Sequence, residues 1–411
     1  MPGYKYLIIG GGMTAAAAIK GIREIDPNGS IGLVGNEADP PYKRPPLSKK
    51  LWQGKPIEAV WKGMSTGGVE MHLGHTIQSI HPAERYAVDE AGTLYAYEKL
   101  LLATGGTPRR LPFGGDRIIY FRTLDDFRRL KALTETKQGF AVLGGGFIGS
   151  EIAAALAMNG KDVTMIVPEQ GIGERIYPPD LVQHLNSYYE QKGVRVLTGE
   201  QVVALDLADG ADTVEGTLQL RLGSGQVLTV DSVVAGIGIT VNAGLAEAVG
   251  LQVDNGIVVD EFLRTTDPNI YAAGDVASYP DYILGERRRV EHEDNANSMG
   301  KAAGRSMATS ALNVSPEPFR HTPFFYSDMF DLGYEAVGQL DSRLEMVADW
   351  KEPYREGVIY YLRDGRVRGV LMWNVWGQLD AARSLISEQG PFTAQDLLGR
   401  LPRVVAEVGA K

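Results

Sequence analysis

Short apolar runs bounded by glycines open two similar segments of this chain. Tyr6-Leu7-Ile8-Ile9 runs into Gly10-Gly11-Gly12, and an alanine-rich stretch from Thr14 to Ile19 follows. Phe140-Ala141-Val142-Leu143 runs into Gly144-Gly145-Gly146-Phe147-Ile148-Gly149, with a second apolar stretch from Ile152 to Met158. Continuous apolar runs of this length, flanked by turn residues, fit buried strands, and the alanine-rich stretches fit helices packed on them. Each pair leads to another such strand, Ser30-Ile31-Gly32-Leu33-Val34 in the first copy and Val163-Thr164-Met165-Ile166-Val167 in the second. Further apolar runs end in Ala103-Thr104-Gly105-Gly106, in Gly236-Ile237-Gly238-Ile239, in Asp260, and in Ala273-Gly274-Asp275. Strands alternating with helices in this order predict an α/β fold with parallel sheets.

The pattern changes near Asn313. Gly357 to Leu362 and Val367 to Trp373 alternate in the manner of antiparallel strands, and Asp364-Gly365 between them is a hairpin signal. A helix is expected from Gln378 to Glu388. Phe324, Phe325, Tyr326, Tyr334, Trp350, Tyr354, Tyr360, Tyr361, Trp373 and Trp376 make this region aromatic. Core packing accounts for most of them, with a lid over a cofactor or a subunit interface as the other uses.

The two glycine segments carry the first chemistry. In a strand-turn-helix setting, Gly10 permits the tight turn, Gly12 lets backbone approach a pyrophosphate, and Ala15 is small enough for close packing. Gly144, Gly146 and Gly149 repeat this logic, and the unpaired amides at each helix start face the phosphates. Glu37 follows the first copy's second strand, somewhat beyond the usual spacing of roughly 20 residues, and is the candidate for adenosine ribose hydroxyls. Glu169 takes that place in the second copy. Its charge disfavours a 2′-phosphate, so NADH is expected over NADPH, a preference that the nearby Arg175 softens. Two dinucleotide turns in one chain predict electron transfer between two bound dinucleotides. Asp275, at a strand's carboxyl end, is a candidate for a ribityl hydroxyl; capping the turn before Val276 is its plainer role.

Composition narrows the class. The chain has 411 residues, 44% of them hydrophobic, and 50 glycines, which fits a compact protein of two or three domains. No run approaches the roughly 18 apolar residues of a membrane span. Met-Pro-Gly-Tyr-Lys leads straight into the first strand with no room for a targeting segment, so a cytoplasmic location is expected. A net charge of -10 argues against nucleic acid as a partner. The basic run Arg287-Arg288-Arg289 lies beside Glu291, Glu293 and Asp294 and reads as a solvated or pairing segment rather than a binding patch. There is no cysteine, which removes a thiol relay and any metal-thiolate or iron-sulfur centre held by this chain. The six histidines are scattered; His72 and His75 have no evident further ligand, and no metal site is expected.

Several of these motifs together resemble the flavin-dependent pyridine-nucleotide oxidoreductases, in the branch that holds ferredoxin and rubredoxin reductases and apoptosis-inducing factor. The resemblance spans about residues 4 to 390. It rests on Gly10 to Ala15, Pro41-Tyr42-Lys43-Arg44-Pro45-Pro46-Leu47-Ser48-Lys49, Ala103 to Gly106, Gly144 to Glu151, and Thr266 to Asp275. Arg289-Val290-Glu291-His292, Tyr326-Ser327-Asp328, Gly333 to Gly338, Gly357 to Asp364 and Gly369 to Trp376 resemble the apoptosis-inducing factor side, here in a compact, prokaryotic-type form. The resemblance implies two Rossmann-like nucleotide-binding domains of the three-layer ββα type and a C-terminal α+β domain. The expected layout is an FAD domain over 1–112 and 236–312, an NAD domain over 113–235 inserted into it, and a domain over 313–411 that covers the flavin or also dimerises. The state expected is monomer or homodimer.

The resemblance also implies the cofactors, FAD on the first turn and NAD(H) on the second, and further site residues. Arg44, Ala103, Thr104, Gly105, Glu291 and Gly238 would touch a cofactor. Lys49 would lie near the flavin N5 and Glu151 would meet the nicotinamide carboxamide and pair with Lys49. His292 would stand near the nicotinamide, and Tyr326 occupies a position where relatives usually carry tryptophan. Read alone, Lys49 beside Lys50 is a surface amine, Glu151 is an acid favoured by a helix start, and His292 is a buried or pairing histidine between two glutamates.

The donor side is therefore NADH to FAD, and three acceptor readings stay open. A ferredoxin- or rubredoxin-type carrier fits the fold, although an acidic carrier would need a local basic patch. Oxygen, quinone or another small acceptor needs none. A slow-turnover NADH-responsive interaction protein is the third.

Overall fold

The computed structural model describes residues 2–61, 68–207 and 216–401. The last ten positions of the expected C-terminal domain lie outside the described residues. The chain divides into two compact units, 1–44 with 57–107 and 240–325, and 45–56 with 108–239 and 326–411.

The first unit is built on a seven-stranded sheet. Strand Gly3–Ile9 lies between Ile31–Gly35 and Leu94–Leu102, parallel to both, and Val69–Leu73 extends the sheet beyond Ile31–Gly35. The long strand Leu94–Leu102 pairs parallel with Ile270–Ala272 at one end and antiparallel with Tyr86–Asp89 at the other. Tyr6, Leu7, Ile8, Leu100, Leu101 and Leu102 are buried, as a strand covered on both faces requires. Helix Met13–Ile25 starts earlier and runs further than its alanines predict, and it packs on helix Glu293–Ala311. The apolar run that ends in Gly236-Ile237-Gly238-Ile239, which the sequence predicts as one strand from Asp231, is shorter: the strand is Ser232–Ala235, and Asp231 instead accepts the amides of Gln138 and Gly139.

The second unit repeats the parallel plan. Val194–Thr198, Asp162–Val167, Gly139–Leu143, Ser232–Ala235 and Ile118–Tyr120 form a five-stranded sheet in that order. Helix Phe147–Met158 begins directly after the second glycine turn. Its C-terminal part holds five antiparallel strands in the order Phe324–Met329, Leu332–Gly338, Arg366–Trp373, Glu356–Arg363 and Glu345–Glu352, the first of which begins in the other unit.

Two details depart from the half-exposed alternation expected there. Glu356–Arg363 and Arg366–Trp373 are buried along nearly their whole length. Helix Leu379–Ser387 packs on Arg366–Trp373 and Leu332–Gly338, while Tyr177 meets the rings of Tyr334 and Trp373 at 5.9 and 5.7 Å. A strand packed on both sides loses its polar face, which is why Tyr360, Tyr361 and Trp373 are core, while Phe324, Tyr326, Trp350, Tyr354 and Trp376 are only partly buried. The Asp364-Gly365 turn has φ of +52° and +71°, as a two-residue hairpin requires.

Candidate functional site

In the first unit the glycine turn stands at the carboxyl end of Gly3–Ile9. Gly10 has φ +112°, and a Cβ there would strike the Ala103 carbonyl, so strand Leu94–Leu102 and the turn close on each other only with glycine. A Cβ on Gly12, by contrast, would meet nothing within 4 Å. No side chain caps helix Met13–Ile25 and no acid lies in its first turn. The result is an open cradle lined by free amides, suited to a pyrophosphate.

Glu37 is not a free carboxylate. It accepts hydrogen bonds from the Tyr42 hydroxyl and the Arg44 guanidinium, and the Arg44 and Glu37 side chains are only 22% and 24% exposed. Burial works against the Arg44 charge, but Tyr42, Glu37 and Asp275 outweigh it and hold the guanidinium's pKa above its ordinary range. Arg289 donates to the Asp275 carbonyl at 3.2 Å and pairs with Glu291 at 2.6 Å. Arg44, Asp275, Arg289 and Glu291 thus form one charged series in this unit. The remaining basic residues of that run are paired too, Arg288 with Asp281 and Arg287 with the carbonyls of Val259 and Ser278.

His292 precedes helix Glu293–Ala311 and stacks on Phe325 with centroids 4.1 Å apart. Burial, with Arg288 adding to it and Asp294 opposing, pushes its pKa down to about 3, so the ring is neutral at physiological pH. Asp294 instead accepts from His321 at 2.5 Å.

His75 has closer acidic neighbours than its sequence surroundings indicate. Asp89 and Glu90 approach its Nδ1 to 3.4 and 3.3 Å. Asp89 also accepts from the amides of Ala91 and Thr93 and from the Tyr95 hydroxyl, and the ligand atoms of His75, Asp89 and Glu90 lie within 4.8 Å of one another, a grouping the sequence did not indicate. A depression of about 730 Å³ beside Tyr4, Lys5, Asp26 and Glu98 lies at the amino end of Gly3–Ile9. That is the wrong end of a parallel sheet for a cofactor, and the cradle is at the other.

In the second unit Gly144 has φ +99°, and a Cβ would come within 2.6 Å of the Gly236 carbonyl. The Gly146 position opens on space, and helix Phe147–Met158 has neither a side-chain cap nor an acid in its first turn. Glu169 pairs with Arg175 at 2.7 Å, and Arg175 is 82% exposed. Gly238, with φ +89°, accepts the Arg109 amide at 2.9 Å.

The same unit brings Lys49 and Glu151 together. Their side chains form an ion pair that is 8% and 3% exposed. Glu151 also accepts from Ser48 Oγ and Ser327 Oγ, each at 2.6 Å. The Lys49 ammonium stands 5.1 Å from the Tyr326 ring centroid. Ser48 and Ser327 are functional candidates that sequence reasoning missed; the only signal was adjacency, one preceding Lys49 and the other following Tyr326. A buried ion pair contributes little net stability because desolvation offsets attraction, so its use here is better sought in chemistry than in folding.

The model of the pyridine nucleotide-disulphide oxidoreductase family matches residues 4–300, and that of the C-terminal region of mitochondrion-associated apoptosis-inducing factor matches 348–388. The chain belongs to the pyridine nucleotide-disulphide oxidoreductases. Within them it falls in the ferredoxin reductase-like branch and is an FAD-containing NAD(P)H oxidoreductase. It is 36% identical to mitochondrial apoptosis-inducing factor 1 of Dictyostelium discoideum, over 96% of this chain and 80% of that protein. It is 33% identical to the ferredoxin reductase subunit of a 5,5′-dehydrodivanillate O-demethylase of Sphingobium, over 89% of each. A putidaredoxin reductase solved in covalent complex with putidaredoxin superposes with a TM-score of 0.86 and 28% identity, over 94% of both chains. Despite the family's name, this chain has no cysteine. No helix among the described residues is long and apolar enough to cross a membrane.

Proposed function

We propose that the chain takes hydride from NADH and passes electrons singly to a ferredoxin- or rubredoxin-type carrier. The observation that carries this is the buried Lys49–Glu151 pair, held by Ser48 and Ser327 and covered by Tyr326, in a chain with no thiol to take electrons onward. FAD, when bound, supplies a hydride acceptor that can release electrons one at a time.

The residues have distinct tasks in this reading. Gly10, Gly12, Ala15 and the first amides of helix Met13–Ile25 hold the FAD pyrophosphate. Glu37, fixed by Arg44 and Tyr42, takes the adenosine ribose, and Asp275 takes a ribityl hydroxyl. Ala103, Thr104, Gly105, Glu291 and His292 complete that binding face, with His292 neutral. Gly144, Gly146 and Gly149 hold the NADH pyrophosphate, Gly238 lies on the same side of the second sheet, and Glu169 accepts the ribose. Glu151 accepts the nicotinamide carboxamide, while Lys49 presents positive charge where the reduced ring system gains electrons. Ser48 and Ser327 fix the Glu151 carboxylate, so no proton transfer is required of it.

The relatives named as reductases of electron carriers support this acceptor class. A small organic acceptor is the second reading, favoured by 30% identity over 90% of the chain to a monodehydroascorbate reductase of Arabidopsis thaliana and by the acidic net charge. Stopped-flow reduction by NADH, then reoxidation by ferredoxin, rubredoxin, quinone, monodehydroascorbate or oxygen, separates them. Catalytic reoxidation by a carrier supports the first. A long-lived reduced complex that no acceptor discharges would instead indicate an NADH-responsive binding protein.

A further inference from the structure

The two-residue turn between strands Phe324–Met329 and Leu332–Gly338 is held more firmly than a surface hairpin needs. Phe330 sits at φ +58°, an unfavourable conformation for a bulky side chain. Its ring is set edge-on against Tyr189 at 5.1 Å and Tyr188 at 5.8 Å, and the Lys192 ammonium lies 5.8 Å from its centroid. The next residue, Asp331, accepts from the Tyr188 hydroxyl, from Lys192 at 2.8 Å and from Arg355 at 3.0 Å. Lys192 foremost, and then Tyr188, hold its carboxyl well below the usual range.

Both tyrosines lie on helix Pro179–Gln191, and that helix reaches back to the ion pair. The buried Tyr189 donates to the Ser150 carbonyl at 3.0 Å, one residue before Glu151. The strand leading into the turn carries Tyr326 against Lys49 and Ser327 against Glu151. The turn and Glu151 are thus tied to the same helix, while Ser327 spans the gap between them.

We infer that the Phe330-Asp331 turn is a positioning device that sets the placement of Tyr326 and Ser327 against the Lys49–Glu151 pair, making Phe330 and Asp331 positioning residues for hydride transfer. This rests on the proposed reading that the pair faces the nicotinamide. Neither residue touches the reacting atoms; they act through the strand. The unfavourable φ at Phe330 persists because the ring contacts over-determine it, as expected where placement is being fixed.

Four variants test this by stopped-flow flavin reduction across NADH concentrations: Phe330→Gly, Asp331→Asn, Phe330→Tyr and, as control, Glu151→Gln. Phe330→Gly removes the ring but relaxes the backbone, and Asp331→Asn keeps the ring but weakens the ionic ties, so the two fail to fold for different reasons if either does. The limiting reduction rate should fall roughly ten- to a hundredfold in both, with half-saturating NADH nearly unchanged, because a small misplacement taxes the reaction more than binding. Phe330→Tyr should restore a rate close to that of the parent. Limiting rates equal to the parent's in folded Phe330→Gly and Asp331→Asn, with Glu151→Gln slow, would overturn the positioning role alone. A parent-like rate in Glu151→Gln would overturn the reading of the pair itself.

Discussion

The two glycine cradles share a turn and differ in what surrounds it. In the first, the acid after the second strand, Glu37, is fixed by Tyr42 and a largely buried Arg44, and Asp275 and Arg289 extend the charged series. In the second, Glu169 has an exposed Arg175 as its partner, an ion pair that solvent weakens. Identical backbone chemistry thus serves a tightly framed site in one unit and an open one in the other. In the proposed reading the framing acid, more than the glycine turn, separates the cofactor that stays from the one that exchanges.

The largest expected effect breaks the symmetry at the turns. Gly10→Ala forces a Cβ into the Ala103 carbonyl at positive φ, and Gly144→Ala does the same against Gly236. The first variant should purify colourless, or bind FAD only at high excess. The second should stay yellow yet resist bleaching by NADH. Absorbance spectra before and after NADH check both, and a yellow, NADH-bleached Gly10→Ala protein would end the assignment of the first turn to FAD.

Acid should sharpen the comparison next. His292 has its pKa depressed from 6.5 to about 3 in the folded chain. The unfolded chain therefore takes up the proton first, and stability, complete above pH 6.5, declines as pH falls from there toward about 3. At about pH 5 the loss is about 2 kcal/mol. Asp331, whose carboxyl is held below its ordinary 3.8, keeps its contribution above that value and loses it only in stronger acid. The unit carrying His292 should weaken first, releasing FAD under mild acid. Denaturant unfolding at neutral and mildly acidic pH measures the slope, and His292→Gln should flatten it.

How far the sequence reveals this contrast depends on the range of each interaction. The strands and turns are legible because burial on both faces and positive φ leave local traces, as in Tyr6 to Gly12 and Phe140 to Gly146. The C-terminal strands and the helix after them were legible, but not the strands' double burial, since Tyr177 arrives from a remote part of the chain and nothing local says which face the helix covers. Lys49 and Glu151 were singled out through family resemblance. Nothing local to Ser327 announces a hydrogen bond to Glu151, because a hydroxyl has no periodicity and its partner is remote in sequence. The tie between Glu37 and Arg44 lay within a few residues and still escaped notice, since an acid near a base in a loop is ordinary.

The smallest effect tests whether the framing acids differ in kind. Glu169→Gln removes the charge that opposes a 2′-phosphate while keeping hydrogen-bonding capacity for a ribose. The ratio of NADH to NADPH efficiency should then narrow roughly tenfold, about 1.4 kcal/mol, a typical size for one partly solvated charge interaction. Arg175→Ala should widen the ratio, because the exposed guanidinium is then no longer available to a phosphate. Glu37→Gln should leave the ratio where it was and instead loosen FAD, measured by equilibrium dialysis, since its carboxylate also anchors Arg44. If Glu37→Gln shifted the nucleotide ratio as far as Glu169→Gln, the two acids would not be dividing two cofactors between them.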